Sequence, residues 1–166
     1  MKHILIPTDF SVESLNAVHA AVSLYNNSKI KLTLFHLLEL SADISELLFY
    51  NSRRMQTDLV GREFHEACEI LQNKYVQEIE CMNIRFGNGN TIAYLRNFML
   101  GAGIDRIVMC EDIRLGMPSK RSVNMSPLLK RTGIPIDLIP TRPARQEVQT
   151  DISIISMSKS KYIVNQ

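Results

Sequence analysis

Asp9 is the first residue in the chain placed to do chemistry. It follows the apolar run His3-Ile4-Leu5-Ile6-Pro7 at a polar turn, Thr8-Asp9-Phe10-Ser11. A nearly unbroken apolar run reads as a strand buried on both faces, and a carboxylate just past its carboxyl end lies where open α/β sheets hold ligands. Two fates are open to Asp9: a ligand contact, or an Asx turn closed on its own backbone. Ser11 offers an N-cap for a helix beginning at Val12. A second polar group, Cys110-Glu111-Asp112, follows another apolar run. Its carboxylates suit a hard divalent cation or a solvated acidic loop. Lys120 and Arg121, further on, have the reach to meet a phosphate or to face water.

The remaining reactive residues do not assemble in the sequence. His36 alternates into a buried strand and reads as a core histidine with satisfied ring nitrogens. His3, His19 and His65 form no i, i+4 metal pair. No serine lies in G-x-S-x-G and no cysteine has a motif context. These residues support no catalysis, so the chain reads as a protein that is not an enzyme. Ser156-Met157-Ser158-Lys159-Ser160 resembles the KMSKS loop of class I aminoacyl-tRNA synthetases, but no H-x-G-H follows the first strand and the match reads as coincidence in a polar tail.

The elements that must position Asp9 alternate along the chain. Residues 2–7 read as a strand. Leu15, Val18, Val22 and Tyr25 fall on one face of a helix closed by Asn26-Asn27-Ser28. Ile30 to Leu38 is a second strand, and Val60, Phe64, Ala67, Leu71 and Tyr75 mark a longer helix. Ile79 to Phe86 is a third strand, ended by Gly87-Asn88-Gly89-Asn90. Ile92, Leu95 and Met99 mark a helix ended by Gly101-Ala102-Gly103, and Asp105 to Met109 is a fourth strand. A short helix spans Pro127 to Thr132 with Gly133 at the C′ position, and Pro135 to Ile139 is a fifth strand. This alternation specifies one doubly wound α/β domain, a five-stranded parallel sheet with helices on both faces. The domain covers 1–140. Residues 141–166 form a polar extension in which Ile152-Ser153-Ile154-Ile155 either adds a strand or stays disordered. Ser41 to Gln56 carries the apolar cluster Leu47-Leu48-Phe49-Tyr50, suited to a short helix over the sheet edge or to a partner surface.

Composition narrows the function classes. The chain has 166 residues, 45% hydrophobic and 22% charged, with a net charge of +2. Residues 141–166 hold four basic and two acidic residues, which leaves 15 of each in the body. A neutral body without a basic stripe argues against nucleic acid as the partner. No apolar run has membrane-spanning length and no signal-peptide core opens the chain, so the expected location is the cytoplasm, with no membrane contact. Cys68, Cys81 and Cys110 have no disulfide or zinc spacing. Cys68 and Cys81 lie in apolar periodic stretches and read as small core residues.

Ile4 through Ser11 (ILIPTDFS), with the small residues Asn16 to Ala21 after it, resembles the opening of the universal stress protein family. Leu34-Phe35-His36-Leu37-Leu38-Glu39, Asp105 to Met109 and Gly133 to Ile139 resemble that family's second, fourth and fifth strands. The resemblance covers residues 1–140. It implies an adenine nucleotide alpha hydrolase-like fold that dimerises through its last strand. It also implies one of two groups, of which only one binds ATP, through G-x2-G-x9-G-S/T after the fourth strand. In that register this chain has Met109, Asp112, Ser122 and Val123, so every motif position is changed, and Gly116 stands out of register. Glycines in such a loop let backbone amides approach phosphates, whereas Glu111 and Asp112 repel them. Pro7, Asp9 and Leu37 match the adenosine side of the site. The resemblance therefore implies a non-catalytic, cytoplasmic stress-response protein of the group without ATP. It would bind no cofactor, and would act as a homodimer, through the fifth strand or the tail, on an unknown protein partner. The alternative is an adenine-nucleotide (ATP) binding protein with a non-standard phosphate loop. A receiver domain, the nearest competing α/β reading, lacks its aspartate and lysine after the third and fifth strands.

Overall fold

The computed structural model describes residues 1–40, 58–111 and 113–140. The expectations placed on Ser41–Gln56, on Asp112 and on the 141–166 extension lie outside the described residues.

Five strands form one parallel sheet in the order β3-β2-β1-β4-β5. They are β1 (Lys2–Pro7), β2 (Ile30–Leu38), β3 (Ile79–Asn88), β4 (Arg106–Cys110) and β5 (Ile136–Ile139). Strand β1 lies at the centre, in register with β2 from Lys2↔Ile30 to Pro7↔Phe35, and its other side pairs with β4 through Ile4↔Arg106 and Leu5↔Ile107. Ile4, Leu5 and Ile6 are fully buried because a central parallel strand is covered on both faces.

The helices divide between those faces. Helices α1 (Asn16–Leu24) and α2 (Arg62–Lys74) pack Val18, Ala21, Phe64 and Leu71 against Ile4, Ile6, Leu32 and Leu34. Helices α3 (Ile92–Ala102) and α4 (Ser126–Leu129) bring Leu95, Met99 and Leu129 to Leu5, Phe35, Leu37 and Ile107 on the other face. Successive strand residues point to opposite faces, so Leu5 serves one core and its neighbours Ile4 and Ile6 the other. Helix α3 is capped as its sequence specifies: the Thr91 hydroxyl accepts from the Tyr94 amide, and Gly103 takes the left-handed conformation at φ 67°.

Two expectations are corrected. Ser11 does not start an α-helix at Val12. It opens a 3-10 turn over Glu13–Leu15, and α1 begins only at Asn16. Cys68 is buried as expected, and burial pushes its thiol pKa up to about 11. Cys81 is only half-buried. It lies on the edge strand β3, and a register shift between Ile30 and Lys31 inserts one extra residue in β3. The shift puts Met82, Ile84 and Phe86 on the face that Ile79 buries and turns Cys81 away from it.

Candidate functional site

The strand order reverses at β1. The chain winds outward to β2 and β3, then returns to β1's other side for β4 and β5. Beyond the carboxyl ends of β1 and β4 lies the crevice where doubly wound sheets bind ligands. Two segments border it: the turn 8–15 after β1, and the loop 111–125 after β4.

The turn is tied to itself. Asp9 Oδ1 accepts from the Ser11 amide at 3.0 Å and from the Ser11 hydroxyl at 2.5 Å. The Ser11 oxygen in turn accepts from the Ser14 amide at 3.2 Å. This is the Asx turn, and it accounts for the displaced helix start: Ser11 is engaged on Asp9 while capping the tighter turn. The Thr8 hydroxyl pairs with the Ser14 hydroxyl at 2.7 Å and accepts from the Phe10 amide at 3.0 Å. Phe10 has φ 64°, the one non-glycine residue with positive φ among those described. Its ring is held by His36, Phe64 and Phe86 at centroid distances of 5.0, 5.5 and 5.2 Å. These contacts offset a backbone conformation that costs on the order of 1 kcal/mol outside glycine.

The loop 111–125 closes on this turn. The Gly116 amide donates to Asp9 Oδ2 at 2.6 Å. A Cβ on Gly116 would come to 3.1 Å from that oxygen, so the contact suits glycine. Both Asp9 oxygens are thus taken by the protein's own donors. Burial works to raise the Asp9 pKa, but the Ser11 hydroxyl and the Gly116 and Ser11 amides outweigh it, holding the carboxyl below its ordinary value. Ile113 and Leu115 fold inward with Pro7, Ser14, Ala17, Met109 and Cys110 around a cavity of about 20 Å³, space for one water-sized guest.

The same loop is stapled to the end of β2. Val123 donates to the Leu37 carbonyl at 2.9 Å, Glu39 donates to the Arg121 carbonyl at 2.7 Å, and Leu38 and Ser122 form an antiparallel bridge. The Arg121 guanidinium caps the Glu39 carbonyl at 2.8 and 3.1 Å. Arg121 is therefore a strap on the backbone of Glu39, which departs from the free cationic loop the sequence suggested. His36, 2% exposed, spans the joint: its Nδ1 lies 2.7 Å from the Thr8 carbonyl and its Nε2 2.9 Å from the Ser122 hydroxyl. It is the satisfied core histidine that alternation predicted.

The sequence-selected residues separate in space. Pro7 and Asp9 border the crevice from β1. Leu37 is fully buried in the core on the α3 face, against which Leu115 and Val123 of the loop pack, and its carbonyl accepts from the Val123 amide. Met109 is buried beside Pro7, Val123 packs on the α3-side core, and Ser122 turns to His36. Two residues were missed as participants: Gly116, set aside because its spacing fits no glycine motif, and Ser122, visible only as a motif position lost. Among the described residues no group of three or more His, Cys, Asp or Glu side chains could hold a metal ion. No helix among them is long and apolar enough to cross a membrane.

A parallel five-stranded sheet with this order and a crevice between β1 and β4 defines an adenine nucleotide alpha hydrolase-like α/β domain. The model of the Universal stress protein family matches residues 1–82. Solved structures extend the likeness over the rest of the fold. A universal stress protein in complex with cAMP is 16% identical, with 85% of this chain and 98% of that one covered and a TM-score of 0.52. The universal stress protein UspA from Lactobacillus plantarum is 15% identical, with 83% and 97% covered and a TM-score of 0.50. A hypothetical protein whose biochemical function was assigned from its structure is 15% identical, with 86% and 98% covered and a TM-score of 0.53. No curated protein matches the sequence. Residues 1–82 thus match the universal stress protein family, and the fold of the described chain is the one that solved universal stress proteins share.

Proposed function

We propose that the chain is a non-catalytic universal stress protein of the group that does without ATP, acting in the cytoplasm as a homodimer through protein contacts. The observation that carries this reading is the Gly116 amide on Asp9 Oδ2. Both oxygens of the carboxylate that would orient a nucleoside already accept from the protein's own donors. Its second support is electrostatic. Glu111, immediately after β4, sets a negative charge where phosphates would approach, and like charges a few ångströms apart cost on the order of 1–4 kcal/mol. The third is β5, a four-residue edge strand whose Leu138 is 47% exposed and whose other residues are half-buried. Such an edge favours pairing with a second copy.

Calorimetry with ATP and magnesium tests the reading, and the expected result is no heat of binding. The relative solved with cAMP keeps the alternative concrete: a nucleotide would enter only if the 111–125 loop left Asp9. Micromolar binding that is lost in Asp9→Ala would replace the proposed function with that of a nucleotide-binding protein.

A further inference from the structure

We propose that Ser122 is an acyl-acceptor site, a hydroxyl activated by His36 that takes an acyl group from an activated ester. The Thr8 carbonyl can only accept, so the His36 Nδ1 at 2.7 Å carries the proton. Nε2 is then the unprotonated nitrogen, and the Ser122 hydroxyl 2.9 Å away donates to it. Nucleophile, base and a group that fixes the base's tautomer stand in one line, the arrangement by which serine hydroxyls are activated.

The surroundings support proton transfer. His36 is 2% exposed and packed by the Phe10 and Phe86 rings, so little water competes for its lone pair. Burial lowers its pKa, while the Thr8 carbonyl and the nearby Asp9 charge both favour the imidazolium that would form when it takes the serine proton. The Ser119 amide donates to Ser122 Oγ at 3.1 Å and so holds the hydroxyl in place beside His36. Ser122 is half-buried and within reach of reagents. The space beside His36 is about 10 Å³, room for one water-sized guest among Thr8, Leu115, Met117, Asn124 and Met125, so the acyl group would be carried on the solvent side of Ser122.

In the step itself the Ser122 Oγ–acyl carbon bond forms and the ester's bond to its leaving oxygen breaks. The Ser122 proton passes to His36 Nε2 and from there to the departing oxygen. No oxidant or metal is needed. Acylation is a stoichiometric capture, compatible with a protein that turns over no substrate, and it does not depend on whether nucleotide binds. It also removes the proton that His36 accepts, loosening the loop's hold on β2.

The test uses p-nitrophenyl acetate with the native full chain, followed by mass mapping of the acetyl group. A stoichiometric burst of p-nitrophenolate is expected, with the acetyl group on Ser122, absent in Ser122→Ala and slowed about a hundredfold in His36→Gln, the scale of general-base assistance. Should His36→Gln not fold, the urea-unfolded wild type serves instead, and its Ser122 should react no faster than the exposed Ser28. A native protein whose Ser122 carries no acetyl group, or gains it no faster than Ser28, overturns the proposal.

Discussion

Asp9 and Gly116, 107 residues apart in sequence, meet through one hydrogen bond of 2.6 Å from the Gly116 amide to Asp9 Oδ2. It joins the turn after β1 to the loop after β4 across the switch in strand order, and so fixes the shape of the crevice.

Asp9→Ala should cost about 1–2 kcal/mol of stability, the scale of a lost side-chain cap with its charged hydrogen bonds. Gly116→Ala should cost under about 1 kcal/mol and add almost nothing on top of Asp9→Ala, because its strain is against Asp9. Urea melts of the two single variants and the double variant check this. The pH dependence has a definite sign. The folded Asp9 pKa is depressed, so its stabilisation is full above the unfolded carboxylate value and is lost as pH falls through the folded one. The gap between wild type and Asp9→Ala should therefore shrink at acid pH.

At the opposite end of the sheet, Arg106 pairs with Asp137 through two hydrogen bonds of 2.8 and 2.6 Å, and the Tyr25 hydroxyl donates to the same carboxylate. Burial, and then Asp137, push the Tyr25 pKa up to about 12. Asp137→Asn should lower it toward the ordinary value near 10 without reaching it, since burial, the larger cause, remains. Tyrosinate absorbance would report one of the five tyrosines moving to lower pH. Tyr25's contribution to stability is full below the unfolded value near 10 and lost as pH rises through about 12. At neutral pH the same variant should cost about 1–3 kcal/mol, since the Arg106 guanidinium loses a partner.

Leu138 is the exposed apolar side chain of the edge strand β5. Leu138→Asp should convert the proposed dimer to monomer, raising its dissociation constant at least about tenfold, equivalent to 1.4 kcal/mol. Light scattering across a dilution series measures it. A wild type that is already monomeric would remove β5 from the proposed function.

Strand bounds at 2–7 and 30–38 were legible because β1 and β2 are buried on both faces, so nearly every residue is apolar. The helix faces were legible through Val18, Phe64 and Leu95, whose spacing carries the period of the turn. What escaped the sequence were contacts made between distant segments. Cys81 looks like a core residue until the shifted pairing of β2 and β3 turns it away. Arg121 looks free until Glu39 presents its carbonyl. Gly116 stands out of register with the glycine motif, yet its backbone amide takes the Asp9 oxygen that Ser11 leaves, and an amide has no signature in residue identity. The Asx turn at Asp9 was half legible: Ser11 was recognised as a cap, but its prior engagement with Asp9, which moves the helix start to Asn16, was not.

Phe10 carries a last consequence. Its left-handed backbone and its ring are parts of one residue, so the turn that presents Asp9 cannot relax without withdrawing the ring from Phe64, Phe86 and His36. The rim of the crevice is mechanically continuous with the core beneath α2. Any guest that reshaped that rim would register as a loss of order in the protein's interior, where slow amide exchange around Phe64 is the natural gauge.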